Sequence, residues 1–163
     1  DRLIEVCSNC DEARRAWKYV LEEGGGMFLD SWQNMFRVCD MALRWVSDEE
    51  RALRKAKDLV ARGGFTDVEV VTSGYAIHIH PKGCGKAAGI RKFVSELNVD
   101  EEIICVGDGR NDVPMRDVCS KLYAVSNADE ELKSVADHIL SKPSADGFME
   151  LAKELLRGTL KNQ

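Results

Sequence analysis

A run of four apolar residues, Ile103-Ile104-Cys105-Val106, ends in Gly107-Asp108-Gly109-Arg110-Asn111-Asp112. An apolar run of this length reads as a buried strand, and in open α/β sheets ligands bind at the carboxyl ends of strands. Asp108 therefore sits where chemistry is done. Gly109 permits a sharp turn, and Asp112 returns a second carboxylate at the start of the next helical segment. Two hard oxygen donors on one loop suit Mg²⁺, which takes one or two carboxylates together with waters and a substrate phosphate. A plainer reading, in which the two aspartates only cap a turn and a helix, fits an isolated Gly-Asp-Gly better than the whole pattern.

Lys86, in Gly83-Cys84-Gly85-Lys86-Ala87-Ala88, opens the helix that precedes this strand. Free N–H groups and the helix dipole favour an anion there, and an ammonium adds a point charge suited to phosphate. An ordinary surface lysine is the alternative. His78-Ile79-His80 with Cys84 has ligand-like residue types, and strand alternation places both histidines on one face. Zinc is the less favoured reading of that group, behind exposed imidazoles. Cys7-Ser8-Asn9-Cys10 is a single CxxC without a second pair, which is a weak metal or redox signal. Trp17, Trp32, Phe36 and Trp45 read as core or surface aromatics and not as a nucleotide-stacking platform.

The elements that must position these residues fall into two kinds. Residues 3–7 read as a short strand and 11–23 as a helix capped by Asn9 or Asp11, with Ala13, Trp17, Val20 and Leu21 as its stripe. Gly24-Gly25-Gly26 ends that helix. Residues 35–43 read as a strand. Ser47-Asp48-Glu49-Glu50 reads as a capping box opening a charged helix through Ala61. Residues 66–72 and 75–80 form an expected hairpin about Ser73-Gly74. After Pro81 strands and helices alternate: helix 84–97, strand 102–106, helix 112–118, strand 121–125, helix 129–135, strand 138–140 and helix 147–157. That alternation marks a parallel sheet with helices on its faces. Three strands are too few to cover both faces of a doubly wound sheet, so this half reads as incomplete.

Composition narrows the function classes. The chain has 163 residues, 44% hydrophobic and 31% charged, which is ordinary globular composition. Lys+Arg 23 against Asp+Glu 28 gives a net charge of −5, with no basic surplus for nucleic acid. No uncharged apolar run approaches the roughly 20 residues of a membrane span, and no signal peptide is evident, so a cytoplasmic protein is expected. Six cysteines in such a chain are expected as reduced thiols, unless the source is a hyperthermophile. The start at Asp1-Arg2-Leu3, without Met, reads as a processed chain or a fragment.

Ser73-Gly74-Tyr75, Lys86, Gly107-Asp108-Gly109-Arg110-Asn111-Asp112 and Ser126-Asn127-Ala128 together resemble the haloacid dehalogenase (HAD) phosphatases. The likeness is strongest to the Cof-like group with an α/β cap, including archaeal phosphoglycolate phosphatases. The resemblance implies an α/β fold: residues 1–80 as an α+β cap, and 81–163 as the C-terminal half of a Rossmann-like core. It implies that Lys86 is catalytic and binds substrate phosphate, that Asp108 and Asp112 ligate Mg²⁺, and that Asn127 binds substrate. The family also needs an Asp-x-Asp whose first Asp is the nucleophile, and none occurs in this sequence. A second chain or a lost N-terminal segment is the expected source.

The implied reaction is hydrolysis of a small phosphorylated metabolite through an aspartyl-phosphate, with Lys86 stabilising the equatorial oxygens electrostatically. Arg37 and Arg44 become candidates for a substrate carboxylate, because a guanidinium pairs with carboxylate bidentately, although an ordinary surface role is the favoured reading of each. Two rivals stand beside this reading. One is a sugar-phosphate phosphatase or phosphomutase of the same superfamily; the other is a non-catalytic phosphate- or partner-binding remnant. Neither a nucleic-acid nor a membrane partner is expected, and homo-oligomerisation is left open.

Overall fold

The computed structural model describes residues 6–158. The chain divides into two compact units, Asp1–Phe93 and Val94–Gln163. The first begins with α1 (Cys10–Glu23), β1 (Phe28–Asp30) and a 3₁₀ turn at Trp32–Met35. It continues with β2 (Met41–Trp45), α2 (Glu49–Arg62), β3 (Val68–Thr72) and β4 (Ile77–Pro81). Its strands form an antiparallel sheet in the order β1-β2-β4-β3. Alternation turns Leu43, Ile77, Ile79, Val68 and Val70 to one face, where they join Ala13, Ala16 and Val20 of α1 and Ala52, Ala56 and Leu59 of α2 in one core. The alanines recur at helical spacing, and their small side chains let the helix backbones approach the sheet.

Local chemistry explains where the elements begin. Asn9 stands at the α1 cap with φ 61°, a left-handed conformation that Asn tolerates, and makes no side-chain cap bond. Asp48 caps α2 by accepting the backbone N–H of Arg51 at 2.9 Å. The cap therefore lies one residue beyond Ser47, and the expected Ser47–Glu50 box is not the one used. The expected strand over 35–43 starts only at Met41. Ahead of it Asn34 folds back, its Oδ1 accepting from the Ala42 N–H and its Nδ2 donating to the Ala42 carbonyl, each at 2.8 Å. The apolar residues Met35, Phe36 and Val38 of that stretch are exposed. β1 was missed because three residues after a glycine run carry no readable alternation. Of the expected strand over 3–7, residues 3–5 lie outside the described residues, and Val6 and Cys7 are not in a strand.

The division between the units falls within α3 (Lys86–Leu97). The second unit holds β5 (Ile104–Gly107), a 3₁₀ helix at Arg110–Asp117, β6 (Lys121–Ala124), α4 (Glu130–Val135), β7 (His138–Ile139) and α5 (Ser144–Leu156). β5, β6 and β7 form a parallel sheet in that order, with Val106 opposite Tyr123 and Tyr123 opposite His138. The helix expected over 112–118 is present as a 3₁₀ helix, Arg110–Asp117, containing Pro114, whose missing N–H and ring oppose α-helical bonding. α5 begins three residues earlier than expected, because Asn127 Oδ1 accepts the Ser144 N–H at 2.8 Å and substitutes for a cap. Gly147 inside α5 has no room for a Cβ, which would meet the Lys142 carbonyl oxygen at 2.5 Å.

The expectation of reduced thiols is corrected. Cys10 and Cys39 form one disulfide, and Cys105 on β5 pairs with Cys119, just ahead of β6, in another. The CxxC cysteines are thus not joined to each other, and Cys7 and Cys84 are free thiols. Among the described residues no helix is long and apolar enough to cross a membrane.

Candidate functional site

β5 delivers the chain to Gly107, and the following loop is held almost entirely by one carboxylate. Asp112 Oδ2 accepts the backbone N–H of Asp108 at 2.9 Å and that of Gly109 at 3.3 Å. Asp112 is only 1% exposed, and burying its charge is offset by these main-chain donors. Its own N–H donates to the Gly109 carbonyl at 2.9 Å, which closes the turn. Gly107 must be glycine for this packing: a Cβ there would stand 2.7 Å from both Cβ and Oδ2 of Asp112.

Asp108 is the residue this arrangement presents. Its N–H is taken by Asp112, and its carbonyl accepts the Asp129 N–H at 2.9 Å. Both backbone groups are fixed while the residue itself is exposed. Asp129 in turn caps α4 by accepting the Glu131 N–H at 2.9 Å, and it pairs with Arg110 Nε at 3.1 Å. Neither Asp129 nor Arg110 was singled out from the sequence. The signal was present for the first, an Asp followed by Glu130 and Glu131 at a helix start; long-range pairing of the second leaves no local trace.

The residues expected to act together are distributed over both units. Asp108, Asp112 and Asn127 belong to the second, and Lys86 to the first. Asn127 follows β6, exposed, with Oδ1 accepting from Ser144 N and Nδ2 donating to Ser144 Oγ at 3.2 Å. Lys86 is exposed at the first position of α3. Two carboxylates on one loop fit the hard-oxygen donor set of Mg²⁺, with Asp108 at the surface and Asp112 beneath it. Among the described residues no group of three or more His, Cys, Asp or Glu could hold a metal.

The first unit carries a second polar cluster that sequence reasoning only half found. His78 Nδ1 lies 2.9 and 3.1 Å from the two carboxylate oxygens of Asp40, and its Nε2 lies 3.2 Å from Ser73 Oγ. Arg37 also pairs with Asp40 and donates from Nη2 to Gln33 Oε1 at 3.0 Å. Burial raises the Asp40 carboxyl, but the His78 hydrogen bond and the charges of His78, Arg37 and His80 outweigh it and hold it below 3.8. His80 Nδ1 donates to the Pro81 carbonyl at 2.9 Å. Arg37 is thus occupied within its own unit, whereas Arg44 is exposed on the sheet face opposite Leu43. Asp40 was missed because its histidine partner, His78, lies 38 residues away and leaves no local mark.

Residues 33–151 match the family model of haloacid dehalogenase-like hydrolases. A phosphoglycolate phosphatase of Staphylothermus marinus is 34% identical over 149 residues, covering 88% of this chain and 62% of its own. A crystal structure from Streptococcus mutans superposes with a TM-score of 0.74 at 18% identity, over 95% of this chain and 71% of that one. A HAD subclass IIB sugar phosphatase superposes with a TM-score of 0.63 at 18% identity, over 90% of this chain and 66% of that one. The chain spans 54% to 66% of the length of the first curated relatives it matches. With a Gly-Asp-Gly loop closing a parallel strand and a family match over most of its length, the chain belongs to the haloacid dehalogenase-like hydrolases.

Proposed function

We propose that these residues are the cap, 1–80, and the C-terminal core part, 81–163, of a Mg²⁺-dependent phosphatase acting on a small phosphorylated metabolite such as phosphoglycolate. One observation carries the reading: Asp108 is exposed at the end of a parallel strand with both of its backbone groups immobilised. Such preorganisation has little structural purpose and suits a carboxylate that must meet charge without rearranging. The name of the Staphylothermus marinus relative supports phosphoglycolate as the first substrate to test.

In this reading Asp108 holds the metal with Asp112 beside it, and Lys86 binds the phosphate oxygens as charge spreads over them. The bound ion supplies charge neutralisation between phosphate and carboxylates. Asn127 contributes to substrate binding, for which its Nδ2 would turn from Ser144 Oγ. The nucleophilic Asp comes from a segment other than these residues, since they contain no Asp-x-Asp. The cap excludes water while the nucleophile is phosphorylated.

The test is phosphate release from phosphoglycolate and a panel of sugar phosphates, with Mg²⁺ or EDTA, and an intact-mass spectrum of the same sample. Turnover is expected only where a second species carrying the nucleophile is present, and it disappears with EDTA. Asp108→Asn is expected to lower it by about 100-fold or more, the scale seen when an electrostatic group is removed from a transition state. Turnover by the 18.2 kDa species alone would overturn the aspartyl-phosphate route. Preference for a sugar phosphate over phosphoglycolate would move the substrate and keep the chemistry.

A further inference from the structure

Two disulfides leave Cys7 and Cys84 as the free thiols among the described residues, and they meet. Cys7 Sγ lies 3.8 Å from the Cys84 carbonyl oxygen, and the Cys84 side chain is among the groups that push the Cys7 thiol up. Both residues are half-buried, so a small reagent can reach the pair. Their places in the first unit are informative. Cys7 stands just before α1, the unit's first described element, and Cys84 just after β4, its last strand, in the turn leading to Lys86. Everything that builds the four-stranded sheet and its two helices lies between them, at a sequence separation of 77.

We propose that Cys7 and Cys84 are an oxidisable dithiol, converted by a small-molecule disulfide such as oxidised glutathione into a third cross-link that ties the two ends of the first unit together. The chemistry balances without another reactant. Cys84 loses its proton to solvent and its sulfur attacks one sulfur of the reagent, whose first half leaves as a thiolate. Cys7 then loses its proton and attacks the Cys84 sulfur, and the second half leaves as a thiolate. Two protein thiols are oxidised by two electrons, and one disulfide is reduced to two thiols.

The order of the two steps has a physical basis. Burial, then the hydrogen bond and charge of Cys84, then the charge of Asp40, push Cys7 up to about 12. Cys7 is therefore a poor first nucleophile. Once Cys84 is in a mixed disulfide its charge no longer opposes ionisation of Cys7, and the second step is intramolecular. A cross-link closing a loop of this length restricts the unfolded chain more than a short one does.

The experiment incubates the folded protein with oxidised glutathione and maps its disulfides by non-reducing peptide mass spectrometry. The expected result is a Cys7–Cys84 linked peptide, no retained glutathione, unchanged Cys10–Cys39 and Cys105–Cys119 peptides, and an unfolding midpoint raised by several degrees. Cys7→Ser should trap the first step as a stable glutathione adduct on Cys84. A wild-type protein that keeps glutathione on either cysteine would overturn the proposal. So would one that links Cys7 to Cys10, forms an intermolecular dimer, or leaves both thiols free. None of these readouts depends on phosphatase activity.

Discussion

The loop after β5 and the cluster around Asp40 are each built about a carboxylate and do opposite things with it. In the loop, the buried Asp112 is satisfied by main-chain N–H groups, and this leaves its neighbour Asp108 exposed. Around Asp40, side chains satisfy side chains: His78, Arg37 and Ser73 are engaged within the cluster. A carboxylate neutralised by backbone dipoles frees the side chains around it for a ligand. One neutralised by His and Arg consumes them, and such a network serves structure.

This contrast can be broken experimentally. The largest effect is expected for Asp112→Ala, which strands two loop N–H groups and empties a fully buried position, and should cost about 3 kcal/mol in urea unfolding. A change below about 0.5 kcal/mol, the range of ordinary surface substitutions, would mean that the backbone holds the loop without it. Gly107→Ala should cost about 2 kcal/mol by overpacking against Asp112, and Gly107→Ala with Asp112→Ala should cost less than the sum. His78→Ala comes next, at about 1 kcal/mol for the lost hydrogen bonds near neutral pH.

The pH dependence sharpens the same comparison. Asp40 is held below its ordinary 3.8 in the folded protein, so its contribution is present above that value and is lost as pH falls through the lower folded one. Wild-type stability should therefore drop more steeply below pH 3.8 than that of His78→Ala, measured by acid titration of the unfolding midpoint. Parallel curves would show that His78 does not set the Asp40 ionisation. The smallest effect belongs to Asp108→Asn, with stability unchanged within about 0.5 kcal/mol because the side chain is exposed. Paired with loss of turnover, that result separates a presenting loop from a structural one.

Periodicity and turn chemistry made the parallel half readable: the apolar run at Ile103 to Val106 and the alternation after Pro81 each carry local signals. The segment between Gly26 and Met41 was unreadable for the converse reason. Its conformation is decided by Asn34 reaching Ala42 and by Cys10 bonding Cys39, contacts that leave no period in the chain. The site divides in the same way. Asp108 and Asp112 are marked by residue type and spacing, whereas Arg110, which braces the loop through Asp129, is recognised by contact alone.

Amino-acid order by itself determined the chemistry on offer: two carboxylates after a buried strand, a lysine at a helix start, and a strand pattern that changes from hairpin to alternation. Tertiary structure alone decided which of those groups are presented and which are consumed. Asp108 stays exposed because Asp112 and Asp129 satisfy its backbone, Arg37 is occupied because Asp40 and Gln33 lie beside it, and Cys7 meets Cys84 across the whole first unit. The reason is range: helix and strand periods arise between residues a few positions apart, while hydrogen bonds, ion pairs and thiol contacts join residues that only folding brings together.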